Sequence, residues 1–415
     1  MLQRNLFKSS LLTLAIGTCS FNLYAAGFQL NEHSAAGLGR AFAGEGAMND
    51  TAAAASRNPA AIMMFDRPVF SIGATYVDPE VNIKGTSPLG NSLKADDAAP
   101  SAVIPNVHFA MPINEQFGWG LSITSNYGLS TKFDENYAAG SLAGKTELVT
   151  GNLNLSGAYR LNQYLSFGLG VNAIYAKAEL TRHLGEFSSS TPFPSNREVA
   201  YLKGDKWGYG WNAGILYEID QDNRFALTYR SKVNINFDGD YHDITGVNQP
   251  GTLDLALPDI WELSAYHKVA AKWAVHYGFT YSGWSKFEEL RAKDSNGGTL
   301  FHKEEGFKNN LRIALGTTYF ANKDWTLRAG IAFDDSAVPN SRRSISIPDQ
   351  DRLWLTAGLN YKFTPNASVD AGLAYLKGQK VNFTEVAEAG TAKVPYNFRA
   401  NGSAMMYAVN FNYTF

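Results

Sequence analysis

The sequence predicts an all-β chain: a transmembrane antiparallel β-barrel of about fourteen strands with a small N-terminal hatch in its lumen. Three observations carry this. The last eleven residues alternate, with Met405, Tyr407, Val409, Phe411, Tyr413 and Phe415 on one face and Met406, Ala408, Asn410, Asn412 and Thr414 on the other. Successive strand side chains point to opposite faces, so this segment is apolar on one side and mostly small or polar on the other, as a strand between lipid and lumen must be. Second, segments of the same pattern recur along the chain, joined by short polar turns. Third, Tyr 21, Phe 25, Trp 8 and Gly 38 make the chain rich in aromatics and glycine, yet no mature stretch approaches the roughly 18 consecutive apolar residues of a spanning helix.

The N-terminus predicts export. Arg4 and Lys8 form a basic start, Leu11 to Ile16 an apolar run, and Leu23-Tyr24-Ala25 a cleavage site, so residues 1–25 read as a signal peptide. The single cysteine, Cys19, falls inside it, which leaves the mature chain without disulfide or thiolate-held metal. A net charge of −2 gives no reason to expect a nucleic-acid partner.

Residues 26–67 do not alternate. Ala35–Ala41 and Thr51–Ser56 are small-residue rich, as in short packed helices or tight coil. The glycines at 37, 39, 44 and 46 miss the G-x-G-x-x-G spacing, with Phe42 at the third glycine position and no strand before them. A segment of this size ahead of a barrel is most economically a plug in the lumen. Within it, Asn58-Pro59-Ala60 fixes a rigid turn, because proline locks φ.

Residues 68–415 supply the barrel. Six short turns are expected near residues 115, 163, 222, 271, 323 and 365, and polar loops at 131–146, 183–199, 238–252, 335–344 and 378–401. Short turns on one side and long loops on the other match an outer-membrane barrel, with the turns periplasmic. Six turns join twelve strands; a first strand near 69–83 and the terminal strand raise the number to about fourteen, an even count that lets the last strand close on the first.

Seven histidines (His33, His108, His183, His242, His267, His276, His302) are scattered, and none shares metal-ligand spacing with another on one element. No nucleophile, base and orienting group are brought together by pattern, so an enzyme is not expected, and neither is a metal or cofactor. A general porin needs an open lumen, against which the plug argues. A surface adhesin or phage receptor remains a secondary role that long loops permit.

Several ordered stretches resemble the long-chain fatty acid transporters of the Gram-negative outer membrane, the FadL family. They are Ala26-Gly-Phe-Gln-Leu30, Gly37-Leu-Gly-Arg40, Ser56-Arg-Asn-Pro-Ala60, Gln116-Phe-Gly-Trp-Gly120, Ile123-Thr-Ser-Asn-Tyr-Gly128, Trp207 to Ile215, Arg312 to Thr318 and Ile345 to Asp351. The resemblance implies uptake of long-chain fatty acids and similar apolar molecules by a monomer in the outer membrane. It implies passive entry from outside, hatch movement, and sideways exit into membrane lipid at a kinked third strand. It places the ligand pocket at Ser125, Arg182 and Lys303, gives Phe28 the movement that opens it, and makes Asn58-Pro59-Ala60 the hatch motif and Gly128 the kink. The terminal strand resembles the signal read by the outer-membrane assembly machinery. One departure stands out: the loops at 183–199 and 238–252 look short for the family's outer docking groove, for which Phe187, Pro192, Phe193 and Pro194 are the local candidates.

Overall fold

The computed structural model describes residues 27–389 and 392–415; the expected signal peptide lies outside the described residues. Twenty strand segments form one closed sheet. In chain order they begin with β1 (Val69–Thr86), β2 (Ala102–Pro112), β3 (Phe117–Thr124), β4 (Gly128–Lys132), β5 (Gly144–Arg160), β6 (Leu165–His183) and β7 (Glu198–Glu218). Next come β8 (Asn223–Arg230), β9 (Val233–Asp243), β10 (Gln249–Leu257), β11 (Ile260–Ala270), β12 (Trp273–Ser282), β13 (Glu289–Lys293) and β14 (Thr299–Glu304). The wall ends with β15 (Asn310–Phe320), β16 (Trp325–Asp334), β17 (Arg352–Lys362), β18 (Ala367–Gly378), β19 (Val381–Ala389) and β20 (Ala392–Thr414). They amount to fourteen wall strands, because six are interrupted and written as two segments: β3/β4, β8/β9, β10/β11, β12/β13, β14/β15 and β18/β19. Closure runs between β1 and β20, in register from Val69↔Thr414 to Thr86↔Asn397. Closing the sheet removes its edges, which is what lets strands cross lipid with their backbone groups satisfied. No described helix is long and apolar enough to cross a membrane.

Side-chain alternation follows the two solvents. Tyr407, Val409, Phe411 and Phe415 face outward and are exposed, while Met406, Ala408 and Asn410 are buried within. The same holds around the wall, with Leu155, Leu169, Trp211, Leu263 and Leu355 outward and Asn154, Asn172, Asn212, Ser264 and Asp370 inward. All six expected turns are present, at 113–116, 161–164, 219–222, 271–272, 321–324 and 363–366.

Two of the expected loops are mostly strand. Residues 238–252 hold the ends of β9 and β10 around a short turn at 244–248, and 378–401 is largely the β19–β20 hairpin. Their alternation is inverted. Val233, Ile235, Phe237 and Tyr241 point inward and are buried, whereas Asn234, Asn236, Asp238 and Asp240 are exposed. Above the lipid the outer face meets water and the inner face meets an apolar interior, so the polar residues that suggest a loop are the outer half of a strand. The loop expected at 335–344 instead runs the full 335–351.

Residues 27–64 pack against the inward face of the wall. Helix α1 (Ala35–Gly39) is capped by Ser34, whose Oγ accepts the Gly37 N–H at 3.0 Å, and a second helix, α2 (Ala54–Arg57), follows. Two 3-10 turns, Glu45–Ala47 and Pro59–Met64, complete the segment. A chain of ion pairs ties it to the wall: Arg40 to Glu45 and Asp50 at 2.6 Å each, Asp50 to Arg328 at 3.0 Å, and Arg328 to Asp370 at 2.7 Å. These groups are buried apart from Asp50, and breaking one partner strands the others.

Candidate functional site

The wall has a seam at the third strand. β2 pairs with β3 from Val107↔Ile123 to Pro112↔Gly118, but Ala102–Asn106 pairs with β1 alone, and β4 pairs only with β5. Ser125, Asn126 and Tyr127 form the interruption. The start of the luminal segment fills its inner side: Gln29 bridges Tyr127, the Leu30 N–H donates to Asn126 O at 2.8 Å, and the Gly128 N–H donates to Phe28 O at 2.9 Å. Residues 28–30 are thus a short antiparallel addition to the broken strand. Gly27 takes φ +64°, with the Trp284 ring 2.7 Å from where a Cβ would sit, so both conformation and space require glycine.

Phe28 is the floor of an apolar tube. Its ring meets Trp284 edge-on with centroids 4.4 Å apart, and Phe287 at 5.4 Å. Leu129, Leu148, Ile174, Val233, Ile235, Phe237, Leu255 and Ile347 continue the same cluster upward. A cavity of about 70 Å³, open at its mouth, runs between Phe28, Leu129, Leu180, Phe237, Leu255 and Ile347.

Two cations meet above it. Arg182, near the outer end of β6, is buried; its Nη1 donates to Thr146 Oγ1 at 3.1 Å and to two backbone carbonyls, and its Nη2 donates to Ser346 Oγ at 2.9 Å. Lys303 Nζ donates to Ser344 Oγ at 2.7 Å and lies 3.5 Å from both Glu305 and Glu385. The loop 335–351 therefore joins the two through serines two residues apart. Thr146 and Ile347 line the cavity, which places this polar cluster at its rim. A guanidinium and an ammonium beside hydroxyls, at the mouth of an apolar tube, suit a carboxylate with a long tail.

Ser125 is not with them. Its Oγ donates to Thr150 O at 2.6 Å inside the third-strand interruption, one turn of chain from Tyr127. Gly128 opens β4 directly after the break, but its φ is not positive, so the bend does not draw on glycine's left-handed freedom. Asn58-Pro59-Ala60 sits at the opposite, lower end. Asn58 Nδ2 donates to Gly46 O at 2.7 Å, its Oδ1 accepts the Ala60 N–H at 3.0 Å, and Pro59 starts the 3-10 turn. Gly168 and Gly214, cross-strand partners, leave a bare patch of wall there; a Cβ on Gly214 would come within 1.9 Å of Asn58 Oδ1, and one on Gly168 within 2.3 Å of Ala60 N. The four expected ligand residues thus divide into a rim pair (Arg182, Lys303), a floor (Phe28) and a member of the seam (Ser125).

Sequence reasoning missed Ser344, Ser346 and Glu385, and it reads Glu305 only as a surface partner of Lys303. Ser346 lies within the family-like stretch Ile345–Asp351 and Ser344 just before it. Phe187 and Phe193 do not form one patch: Phe187 packs on Tyr396 in the outer cap, whereas Phe193 is exposed beneath Arg197. Among the described residues no group of three or more His, Cys, Asp or Glu side chains is arranged to hold a metal.

Residues 17–415 match the family described as "Outer membrane protein transport protein (OMPP1/FadL/TodX)". The chain is 52% identical to the long-chain fatty acid transport protein of Escherichia coli O6:H1, with 100% of each covered. That alignment spans 453 residues against 415 in this chain, so the relative carries insertions. The chain is 45% identical to the 47 kDa outer membrane protein of Pasteurella multocida, again over 100% of both. Its fold is that of a Pseudomonas aeruginosa FadL homologue, with TM-score 0.86 and 24% identity over 94% of this chain and 100% of that one. The Pseudomonas putida toluene transporter TodX is a more distant likeness, at TM-score 0.65 and 17% identity over 87% and 94%.

Proposed function

The chain belongs to the outer-membrane transport protein family OMPP1/FadL/TodX, and on that footing we propose that it takes up long-chain fatty acids across the outer membrane. The observation that carries this reading is the joining of an apolar tube to Arg182 and Lys303 at one end and to the β2–β4 seam at the other. Transfer of each buried CH₂ from water is worth about 0.8 kcal/mol, so the tail supplies the driving force, while an unpaired carboxylate in the same tube would cost several kcal/mol. The rim cations offset that cost. Nothing is converted and no energy source is consumed: the acid enters from outside, seats its tail against Phe28, and leaves as it arrived.

Movement of Phe28 is the second step. Residues 27–30 hold the broken strand by a few backbone bonds and Gly27 N–H to Asp349 at 3.2 Å, whereas residues 35–64 are held by the ion-pair chain and by the Asn58 turn. A tail that displaces Phe28 releases the short addition first and uncovers the seam, through which the cargo passes into lipid. Asn58-Pro59-Ala60 acts as the anchor about which this occurs. The chain works as a monomer, inserted through recognition of the terminal strand ending at Phe415 by the assembly machinery.

The test is uptake of labelled oleate by cells lacking their own carrier, paired with mass spectrometry of lipid bound to the purified protein. A bound C16–C18 acid together with carrier-dependent uptake supports the reading; a barrel that stays empty in cells fed oleate overturns it. Uncharged hydrocarbons are the second reading, favoured by the apolar tube alone, but they leave the paired cations at its rim without a purpose.

A further inference from the structure

One buried cation in the lumen has no part in the rim site. Arg230 ends β8, at the interruption before β9. Its Nη1 donates to Asn172 Oδ1 at 3.0 Å and its Nη2 to Ser56 O at 2.9 Å, both neutral acceptors; among the described residues it forms no ion pair. The groups that feel its charge are Tyr127 of the third-strand interruption, Arg57 and Glu262, together with His33 of the luminal segment. Arg57 has Glu262 at 3.6 Å as its carboxylate. The other acids nearby are Glu32, which faces Arg57 and Arg312, and Asp259, which faces Tyr127. Arg57 holds the one carboxylate within ion-pair reach of the two guanidiniums, and Arg230 is left with neutral acceptors.

Unpartnered polar atoms surround the same place. Asn126 Nδ2 and Asn212 Nδ2 are buried donors without a hydrogen-bond partner, and so are both His33 ring nitrogens, one a donor and one an acceptor in the neutral imidazole, while Asn152 Oδ1 and Asn154 Oδ1 are unpartnered acceptors. Asn212 is the cross-strand partner of Arg230, and its Oδ1 is taken by Asn154 and Asn172, so its amide nitrogen is the free end. Asn126 lies in the seam, with Oδ1 accepting from Thr124. His33 follows directly on the segment that covers the seam. Buried donors are ordinarily paired, and unpaired ones in a native interior call for a missing acceptor.

We propose that Arg230, with the amides of Asn126 and Asn212 and the imidazole of His33, is a second carboxylate-binding position, lying between the rim and the seam. The proposal rests on the reading of the chain as a fatty acid carrier and extends it. An acid that leaves Arg182 and Lys303 must carry its charged end past the apolar cluster that runs from Ile347, beside Ser346, to Tyr127, beside Asn126. Without a receiving cation the charged end would stay at the rim while the tail left through the seam. Arg230 receives it at the far end of that cluster, so the carboxylate is handed from one cation to another and is last held beside the opening. A neutral molecule of the same length gains nothing from this step.

The experiment compares uptake of oleate and of methyl oleate in cells expressing wild type, Arg230→Gln, Arg230→Lys or Asn126→Asp, with oleate binding to each purified protein. Arg230→Gln is expected to lower the acid-to-ester uptake ratio at least five-fold while the equilibrium oleate affinity, set at the rim, changes less than two-fold. Arg230→Lys restores at least half of the ratio. Asn126→Asp, which sets a like charge at the seam, lowers it as Arg230→Gln does and carries the test if the latter fails to insert. Equal loss of acid and ester uptake would mean that Arg230 only props the luminal segment through Ser56, and an unchanged ratio would mean that it plays no part; either result overturns the proposal. A wild-type chain that neither binds nor admits oleate is a different failure, that of the carrier reading itself.

Discussion

Lys303 is held between two carboxylates, Glu305 and Glu385, that are themselves buried. On the proposed function, an arriving fatty acid competes with resident acids for one ammonium, and Arg182, bound only to hydroxyls and carbonyls, is the freer of the two cations. Charge-assisted hydrogen bonds contribute about 1.5–3 kcal/mol each, so Arg182→Ala should weaken oleate binding roughly 10- to 100-fold with the barrel intact. Lys303→Ala adds a second loss, because it leaves both acids uncompensated; titration of the double variant with oleate that returns wild-type affinity would refute the rim assignment. Neither cation announces itself in sequence. Arg182 reads as a solvated strand end and Lys303 as a surface ion pair, since their partners Ser346 and Ser344 lie 164 and 41 positions away. The resemblance to a family pointed to them, and the fold brings the two to one loop beside the cavity. Glu32 offers a residue-scale test of the seam cover. Burial pushes its carboxyl up to about 7, against the pull of its own and Asn31's backbone amides, Arg57 and Arg312. A raised carboxyl binds its proton more tightly in the docked state, so docking is favoured at low pH and weakens as pH rises from about 4.5 through 7. Proteolysis of residues 27–34 should be faster at pH 8 than at pH 5.5, and Glu32→Gln should remove that difference.

At the scale of elements, the third wall strand and the first residues of the luminal segment behave as one device. Their contact is a bridge from Gln29 to Tyr127 and two flanking backbone bonds. Residues paired across antiparallel strands stand about 4.5–5.5 Å apart at Cα, within disulfide reach. The single cysteine, Cys19, lies outside the described residues, so none of these holds a competing thiol. Gln29→Cys with Tyr127→Cys should therefore lock the cover when oxidised, cutting oleate uptake about ten-fold or more, and a reductant should restore it. Uptake indifferent to the redox state, with the cross-link demonstrated, would show that the cover need not open. The wall strands were legible wherever one face met lipid, and all six turns followed from that. The outer halves of β9, β10 and β19 were not, because there Asn234, Asn236 and Asp238 face water while Val233, Ile235 and Phe237 line the tube. The alternation persists with its sign reversed, and a reader looking for apolar outward faces takes it for a loop. The seam left no mark in the alternation pattern; only the family-like stretch Ile123–Gly128 pointed to a kinked third strand, and the break at Ser125-Asn126-Tyr127 shows in the pairing of β2 and β5.

For the whole molecule the question is what keeps a fourteen-stranded barrel from being a pore. Apart from the seam at the third strand, the wall closes without its contents, since β1 pairs with β20 along its full length and no ladder pair passes through residues 35–64. The lumen wall behind those residues is polar and charged, with Arg312, Arg328, Asp370, Glu262 and Asn412 turned inward. Such a surface, once uncovered, is wetted and carries ions. The proposed seal is the fit of the segment: Asn58 and Pro59 against the bare backbone of Gly168 and Gly214, and Arg40 joined to Arg328 through Asp50. Gly214→Val should force the anchor off the wall, because the added side chain begins 1.9 Å from Asn58 Oδ1. The barrel ladder is untouched by that change, so the variant should insert and keep its heat-modifiable migration. In planar bilayers the wild type is expected to pass little steady current, and Gly214→Val, or deletion of residues 35–64, to open a steady conductance at least ten-fold larger. A large current through the wild type would return the chain to the porins. Silence in both variants would mean that the outer cap formed by Leu93, Phe133, Tyr137, Leu142 and Tyr396, not the luminal segment, is the seal.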